Sequence, residues 1–111
     1  MATPNLVNVS TVTPFTIAGA VTTSPTDVID VAADKVQKVN TIIISNVDGT
    51  NAADITVEVS VDNGSNYYKI ASTVSVPADA TLVVIDKNSQ VYLDETDLLR
   101  LTASADSDLQ Y

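Results

Sequence analysis

The sequence predicts an all-β fold, an antiparallel β-sandwich of about seven to nine short strands that is immunoglobulin-like or jelly-roll-like. Three observations predict it. The chain is 45% hydrophobic but only 5% aromatic, and its apolar residues are mainly β-branched, which suits pleated surfaces. Apolar and polar residues alternate with period two in several segments. Clusters of Gly, Asp, Asn and Pro separate these segments at intervals of about 8–12 residues, as in sandwiches.

The clearest strand is the run D-I-T-V-E-V-S-V at residues 54–61. Strict alternation predicts that its four apolar side chains share the core face of a sheet. The run ends at the polar cluster 62–66, in which Asn63-Gly64 suits a turn that needs positive φ angles. We therefore predict a β-hairpin at this point. The four core-facing residues would be Ile55, Val57, Val59 and Val61.

Two adjacent tyrosines begin the return strand of this hairpin. Neighbouring residues on a strand point to opposite faces, so at most one of Tyr67 and Tyr68 can face the core. Tyr92 lies in a short apolar segment and is expected to pack as well.

The remaining segments predict strands of different kinds. Three consecutive isoleucines within residues 39–47 favour a central strand. Short strands are predicted at 81–85, 91–93 and 98–103. The first third is interrupted by prolines, which cannot donate to a β-ladder. We therefore expect a single domain in which residues 1–25 form an extended arm or edge-strand segment and residues 26–111 form the sandwich.

The last five residues, S-D-L-Q-Y, begin like a strand and stop at Tyr111. A sandwich rarely ends on so short a strand. The expectation is that this tail pairs with another chain, or that the sequence continues in a longer natural protein.

The composition excludes several classes of function. The chain has 14 acidic and 5 basic residues, a net charge of −9, and so lacks the basic surface that binds nucleic acid. It contains no Cys and no His, which excludes disulfides, the usual zinc sites and histidine-based catalysis. No apolar run approaches the roughly 18 residues that cross a membrane. We predict neither enzymatic activity nor a cofactor, and neither a nucleic-acid nor a membrane partner.

An acidic cluster falls between two predicted strands. Asp94, Glu95 and Asp97 are interpreted as the charged tip of an exposed turn. The alternative is a calcium site, because hard cations bind several carboxylate oxygens at once.

Four pieces of the sequence share the rhythm of one protein family. They are D-N-G at 62–64, Y-Y-K-I-A at 67–71, V-P-A-D-A-T-L-V-V-I-D at 76–86 and Y-L-D-E-T-D-L-L-R-L-T-A-S at 92–104. In these pieces the chain resembles small virion structural proteins of tailed bacteriophages, above all those of marine phages that infect cyanobacteria. Thr96 stands where the family pattern has Gly.

The resemblance implies a non-enzymatic particle component in the virion, assembled in the host cytoplasm. The function expected from it is a capsid decoration (cement) protein that binds the outer shell. Its partners would be the major capsid protein or other virion proteins and copies of itself. A neck, tail or fibre-attachment protein, or a receptor- or glycan-binding module, are the alternatives. The candidate contact residues are Leu6, Val7, Phe15, Tyr67 and Tyr111.

Overall fold

The computed structural model describes residues 16–111, in which the chain forms ten β-strands and no helix. No helix in this part of the chain could therefore cross a membrane. The strands, numbered in chain order, are β1 (Ala20–Val21), β2 (Thr26–Asp30), β3 (Gln37–Val39), β4 (Ile42–Asn46), β5 (Ala53–Ser60), β6 (Tyr68–Val76), β7 (Thr81–Ile85), β8 (Val91–Leu93), β9 (Leu98–Ala103) and β10 (Leu109–Gln110).

The strands form two four-stranded sheets and one small two-stranded sheet, all antiparallel. The first sheet has the order β1-β10-β4-β7 and the second has the order β2-β9-β5-β6. The remaining pair is β3-β8. Apart from the β5-β6 hairpin, neighbours in both large sheets are distant in sequence, so most of the pairing is long-range.

The two large sheets share one apolar core, which confirms the predicted antiparallel sandwich. The first sheet contributes buried side chains such as Ile44 and Leu109, and the second contributes Ile55, Val57 and Leu101. Each of these is at most 1% exposed. Removal of apolar surface from water is the main stabilising contribution in such a core, and it amounts to about 25 cal/mol per Å².

The alternation in β5 is confirmed at Ile55 and Val57, which are fully buried. Val59 is partly buried and packs against the core. The expectation that Val61 faces the core is wrong, since its side chain is 64% exposed. The strand ends at Ser60, and the chain has already turned away from the sheet at the next residue.

The isoleucine run forms β4, which lies between β10 and β7, as predicted for a central strand. Ile42 and Ile44 are buried, whereas Ile43 points outward and is 45% exposed. One face of this strand therefore packs on the core, and its other face carries an apolar side chain into solvent.

The edge strand β6 is irregular. Its pairing with β5 shifts register twice, once between Ile55 and Val57 and once between Val57 and Glu58. At the first shift Thr73 has φ 46°, a rare conformation for a β-branched residue, and its N–H donates to Thr56 Oγ1 at 3.1 Å. Bulges of this kind discourage edge-to-edge pairing with other molecules.

The C-terminal residues are paired within the chain. Leu109 and Gln110 form β10, which inserts between β1 and β4. Tyr111 and Gly19 exchange two backbone hydrogen bonds of 2.9 and 3.1 Å, and the Tyr111 ring packs over Gly19. The expectation that this tail pairs with another chain is therefore wrong.

Most of the predicted N-terminal arm, residues 1–15, lies outside the described residues, as do the candidate contact residues Leu6, Val7 and Phe15. Within the predicted N-terminal segment, β1 (Ala20–Val21) is an edge strand of the first sheet.

Candidate interaction surfaces

The outer face of the second sheet carries a row of alternating charge, which we call the charged row. Asp27 on β2 is the register partner of Arg100 on β9, Arg100 of Glu58 on β5, and Glu58 of Lys69 on β6. Arg100 Nη2 lies 3.2 Å from Glu58 Oε1, and its Nε donates to the same oxygen at 3.3 Å. Opposite charges on directly paired strands stabilise a sheet.

Tyr67 packs on this row rather than in the core. Its ring centroid lies 3.4 Å from Arg100 Cζ, a close cation–π contact. Its hydroxyl donates to Asp27 Oδ1 at 3.0 Å. Burial, together with this hydrogen bond to a carboxylate, raises the pKa of the Tyr67 phenol above its usual value of 10.0. The side chain of this candidate contact residue is thus engaged within the chain.

The polar cluster at 62–66 is the connection of a β-hairpin, as predicted. Asn63 and Gly64 both have positive φ, 57° and 89°. Ser60 Oγ donates to Asp62 Oδ1 at 2.9 Å and accepts from the N–H of Gly64 at 2.8 Å. The backbone N–H of Asn66 also donates to Asp62 Oδ1 at 2.9 Å, and its Nδ2 donates to Oδ2 at 2.8 Å.

These contacts fix the connection from within. Hydrogen bonds from the side chain and backbone of Asn66, and from Ser60, lower the pKa of Asp62 below its usual value of 3.8. Gly64 lies next to Leu98, and Ser60 and Leu98 are both buried. The Asp62 carboxylate is therefore used to shape the loop.

The acidic cluster is not an exposed turn, and that expectation is wrong. Glu95 and Asp97 are only 6% and 7% exposed. Glu95 Oε2 accepts from the N–H of Asp34 at 2.7 Å, and Asp97 Oδ2 accepts from the N–H of Asp94 at 2.9 Å. The cluster faces into the fold because these carboxylates satisfy backbone donors of two loops.

Thr96, between these residues, has φ 67°, which explains why a glycine would fit this position. Glu95 Oε1 is buried without a hydrogen-bond partner. Across residues 16–111, however, no group of three or more Asp, Glu, His or Cys side chains is arranged to hold a metal ion. The calcium candidates Asp94, Glu95 and Asp97 are thus not brought together as a cation site.

Two of the tyrosines are exposed. Tyr68 is 61% exposed and Tyr92 is 54% exposed, so the expectation that Tyr92 packs is wrong. It lies on β8, in the small two-stranded sheet, and the Nζ of Lys38 lies 5.7 Å from its ring centroid. One side of that ring is partly covered by the lysine.

The outer face of the first sheet differs from the charged row. Ala20, Gln110, Ser45 and Thr81 are successive register partners across its four strands. Beside this row Ile43 pairs with Val83, and these two side chains are 45% and 52% exposed. We call these six residues the uncharged face.

A small apolar cleft of about 80 Å³ lies beside Tyr111. Ile17, Val28, Ile42 and Leu101 contribute to its wall. Tyr111, a candidate contact residue, is partly buried and packs against the core. The lining of the cleft is mainly apolar, and Thr41 and Tyr111 are its hydroxyl-bearing members.

Neither the charged row nor the uncharged face was predicted from the sequence. The signal for part of the charged row was available, because hairpin partners carrying opposite charges, such as Glu58 and Lys69, can be read from alternation. The uncharged face had a weaker signal, the absence of charge from residues 41–46 and 80–85. Comparisons with protein-family models, with curated proteins and with solved structures give no match to this chain.

Proposed function

We propose that this chain is a non-enzymatic structural component of a tailed-phage virion, a decoration protein that binds the outer surface of the capsid and stabilises it. Its partners are the major capsid protein and neighbouring copies of itself. On this proposal the protein is found in the phage particle, after assembly in the host cytoplasm.

The observation that carries the proposal is the uncharged face. Exposed Ile43 and Val83 lie side by side on a sheet that bears no charge, in a chain whose net charge is −9. An exposed apolar patch on a small, highly charged protein is typical of a protein-contact surface. The resemblance of residues 62–104 to small virion proteins supplies the kind of assembly in which that contact would be made.

The proposed mechanism is burial of apolar surface repeated at many equivalent sites. A single small contact gives weak binding, since stable interfaces usually bury about 800 Å² on each partner. Contacts between copies held on the same shell raise the effective concentration of each and strengthen the array. A shell bridged in this way resists the outward pressure of packaged DNA.

The rigid hairpin and bulged edge also suit this role. The bulges of β6 disfavour uncontrolled strand pairing between copies, and the hydrogen bonds of Asp62 hold the adjacent loop in one shape. A protein displayed at high local concentration needs such protection of its edges.

A neck, tail or fibre-attachment position is the alternative within the virion. A glycan- or receptor-binding module is a second candidate, favoured by exposed Tyr68 and Tyr92, because carbohydrate binding commonly uses exposed aromatic rings. A glycan array with the wild-type chain and with Tyr68→Ala and Tyr92→Ala separates this candidate. Binding that depends on either ring would favour it.

The test of the main proposal is the position and copy number of this chain in purified particles. Electron density on the outer shell, with many copies in fixed ratio to the major capsid protein, is the expected result. A small copy number set by the symmetry of the neck or tail would refute decoration and keep a virion role. Absence from particles would refute both.

A further inference from the structure

We propose that the uncharged face is the docking surface of this protein, and that it binds a protein surface with an apolar centre bordered by Lys or Arg side chains. This inference rests on the proposed function, because it assigns the shell-binding contact to one side of the sandwich.

Charge is distributed unequally between the two large sheets. The strands of the first sheet, Ala20–Val21, Ile42–Asn46, Thr81–Ile85 and Leu109–Gln110, contain no Asp, Glu, Lys or Arg. The strands of the second sheet carry six such residues. A solvated outer face is expected to carry polar and charged side chains, and the second sheet does carry charges, although its edge strand β6 also exposes Tyr68, Ile70 and Val74. The second-sheet residues are Asp27, Asp30, Asp54, Glu58, Lys69 and Arg100.

The uncharged face itself combines an apolar patch with neutral side chains. Ile43 and Val83 are direct partners on adjacent strands, so they form one apolar patch, which lies at the β7 edge of this face. Small or neutral side chains adjoin this patch in the row from Ala20 to Thr81. Flat surfaces of this kind allow close approach of a partner without desolvating charges.

The loops at the ends of the same strands are charged. Asp48 and Asp79 lie at one end and are joined by a backbone hydrogen bond of 3.2 Å. Asp108 lies at the same end, where its carbonyl accepts from the N–H of Val47 at 2.7 Å. Asp48 follows β4, Asp79 precedes β7 and Asp108 precedes β10.

At the opposite end of β7 the chain continues with Asp86 and Lys87. The loops that form the border of the uncharged face thus carry five aspartates and one lysine, since Asp106 lies in the same loop as Asp108. Complementary potentials favour binding and suppress wrong partners, so the border selects a partner with basic groups around its apolar contact.

The same charges argue against a second copy as the occupant. Two uncharged faces brought together would oppose two acidic borders. The area points the same way, because the four strands are two to five residues long and, at a spacing of about 4.8 Å, give a face of roughly 230 Å². A stable interface uses about 800 Å² on each side, so two copies would not form a lasting dimer through this face alone.

The experiment measures co-sedimentation of the purified chain with phage particles from which the chain is absent. The test variant is Ile43→Glu/Val83→Glu, and the matched control is Val61→Glu, at a residue 64% exposed outside the first sheet. We expect the test variant to bind at least about tenfold more weakly, as for central contact residues. The control should bind within about twofold of the wild type.

The outcomes separate the two proposals. Wild-type chain that never co-sediments refutes the proposed function, and this inference with it. If Ile43→Glu/Val83→Glu binds the particles as well as the wild type does, the uncharged face is refuted as the contact, and the proposed function is not. Far-ultraviolet circular dichroism and urea unfolding check the fold, and Ile43→Thr/Val83→Thr, which keeps β-branched side chains, replaces the test variant if it does not fold. This second variant should still bind at least about threefold more weakly.

A second arm tests the chemistry of the partner. Wild-type binding should weaken as NaCl is raised, because the border charges are screened. The variant Asp48→Asn/Asp79→Asn/Asp108→Asn should bind several-fold more weakly at low salt and respond less to NaCl. Binding that is independent of salt in both proteins would overturn the basic partner and leave an apolar one.

Discussion

Replacing Tyr67 by Phe removes one hydroxyl and leaves the ring on Arg100. That hydroxyl donates to Asp27 Oδ1 at 3.0 Å. A hydrogen bond to a charged group contributes about 1.5–3 kcal/mol when it is well buried. Asp27 is exposed, and water can replace the lost donor, so we discount the value to about 1 kcal/mol.

The assay is urea unfolding of Tyr67→Phe, with Tyr68→Phe as the matched control at the neighbouring position. Tyr68 is 61% exposed, and its variant should unfold within about 0.5 kcal/mol of the wild type. For Tyr67→Phe a loss of about 1 kcal/mol corresponds to a urea midpoint lower by roughly 0.5–1 M, at a slope of about 1–2 kcal/mol per M.

A double-mutant cycle with Asp27→Asn tests the cause. If the hydrogen bond carries the effect, the cost of Tyr67→Phe should shrink by at least about 0.5 kcal/mol in the Asp27→Asn background. Equal losses for the Tyr67 and Tyr68 variants, or additive effects of the Tyr67 and Asp27 changes, would refute the reasoning.

Further predictions concern the charged row, the core and the pH response. Arg100→Met should lower the free energy of unfolding by about 2 kcal/mol, because it leaves the mostly buried Glu58 carboxylate unpaired. Adding Glu58→Gln to the same chain should restore part of the lost stability. Equal stability of the single and double variants would contradict this. Leu101→Ala should cost about 3 kcal/mol by chemical denaturation through the cavity it leaves in the core, and a loss below 1 kcal/mol would show that the site collapses. The folded-state pKa of Asp62 is lowered, so the contribution of Asp62 to stability is complete above pH 4 and is lost as the pH falls through that lowered value. Thermal melts of Asp62→Asn should therefore show a weaker acid dependence than those of the wild type. The pKa of Tyr67 is raised, so one phenol should ionise after the others in an absorbance titration at alkaline pH. The stability linked to this phenol should be lost as the pH rises through that raised value. An unchanged titration curve in Tyr67→Phe would contradict the assignment.

Local pattern was enough to predict several strands with their bounds. Thr81–Ile85, Val91–Leu93 and Leu98–Ala103 form strands where they were predicted. In these segments the alternation of apolar and polar residues stops at turn-forming residues, so the pattern predicts both the strand and its bounds.

Burial of individual side chains in loops and in the short strand β8 could not be predicted in the same way. Val61 and Tyr92 are apolar but exposed, and Glu95 is charged but buried. Each of these outcomes depends on which distant segment covers the residue. Glu95, for example, is buried where its carboxylate accepts a hydrogen bond from Asp34, which lies 61 positions earlier in the chain.

The charged row shows the same limit. A hairpin register can place Glu58 beside Lys69, but Arg100 and Asp27 join them only because β9 lies between β5 and β2. Strand order across a sheet is set by the whole core, so this part of the surface is visible only in three dimensions.

The insertion of β10 between β1 and β4 has a consequence for synthesis. The first sheet is joined in its middle by Leu109 and Gln110, so β1 and β4 remain unconnected on the ribosome until those residues have emerged. Earlier segments expose the apolar faces of Ile42 and Ile44 during that interval. Folding therefore waits for nearly the whole of this sequence to be translated, and long-range closure of this kind is slow. Bulky tags fused directly after Tyr111 would hinder the step that completes the sheet.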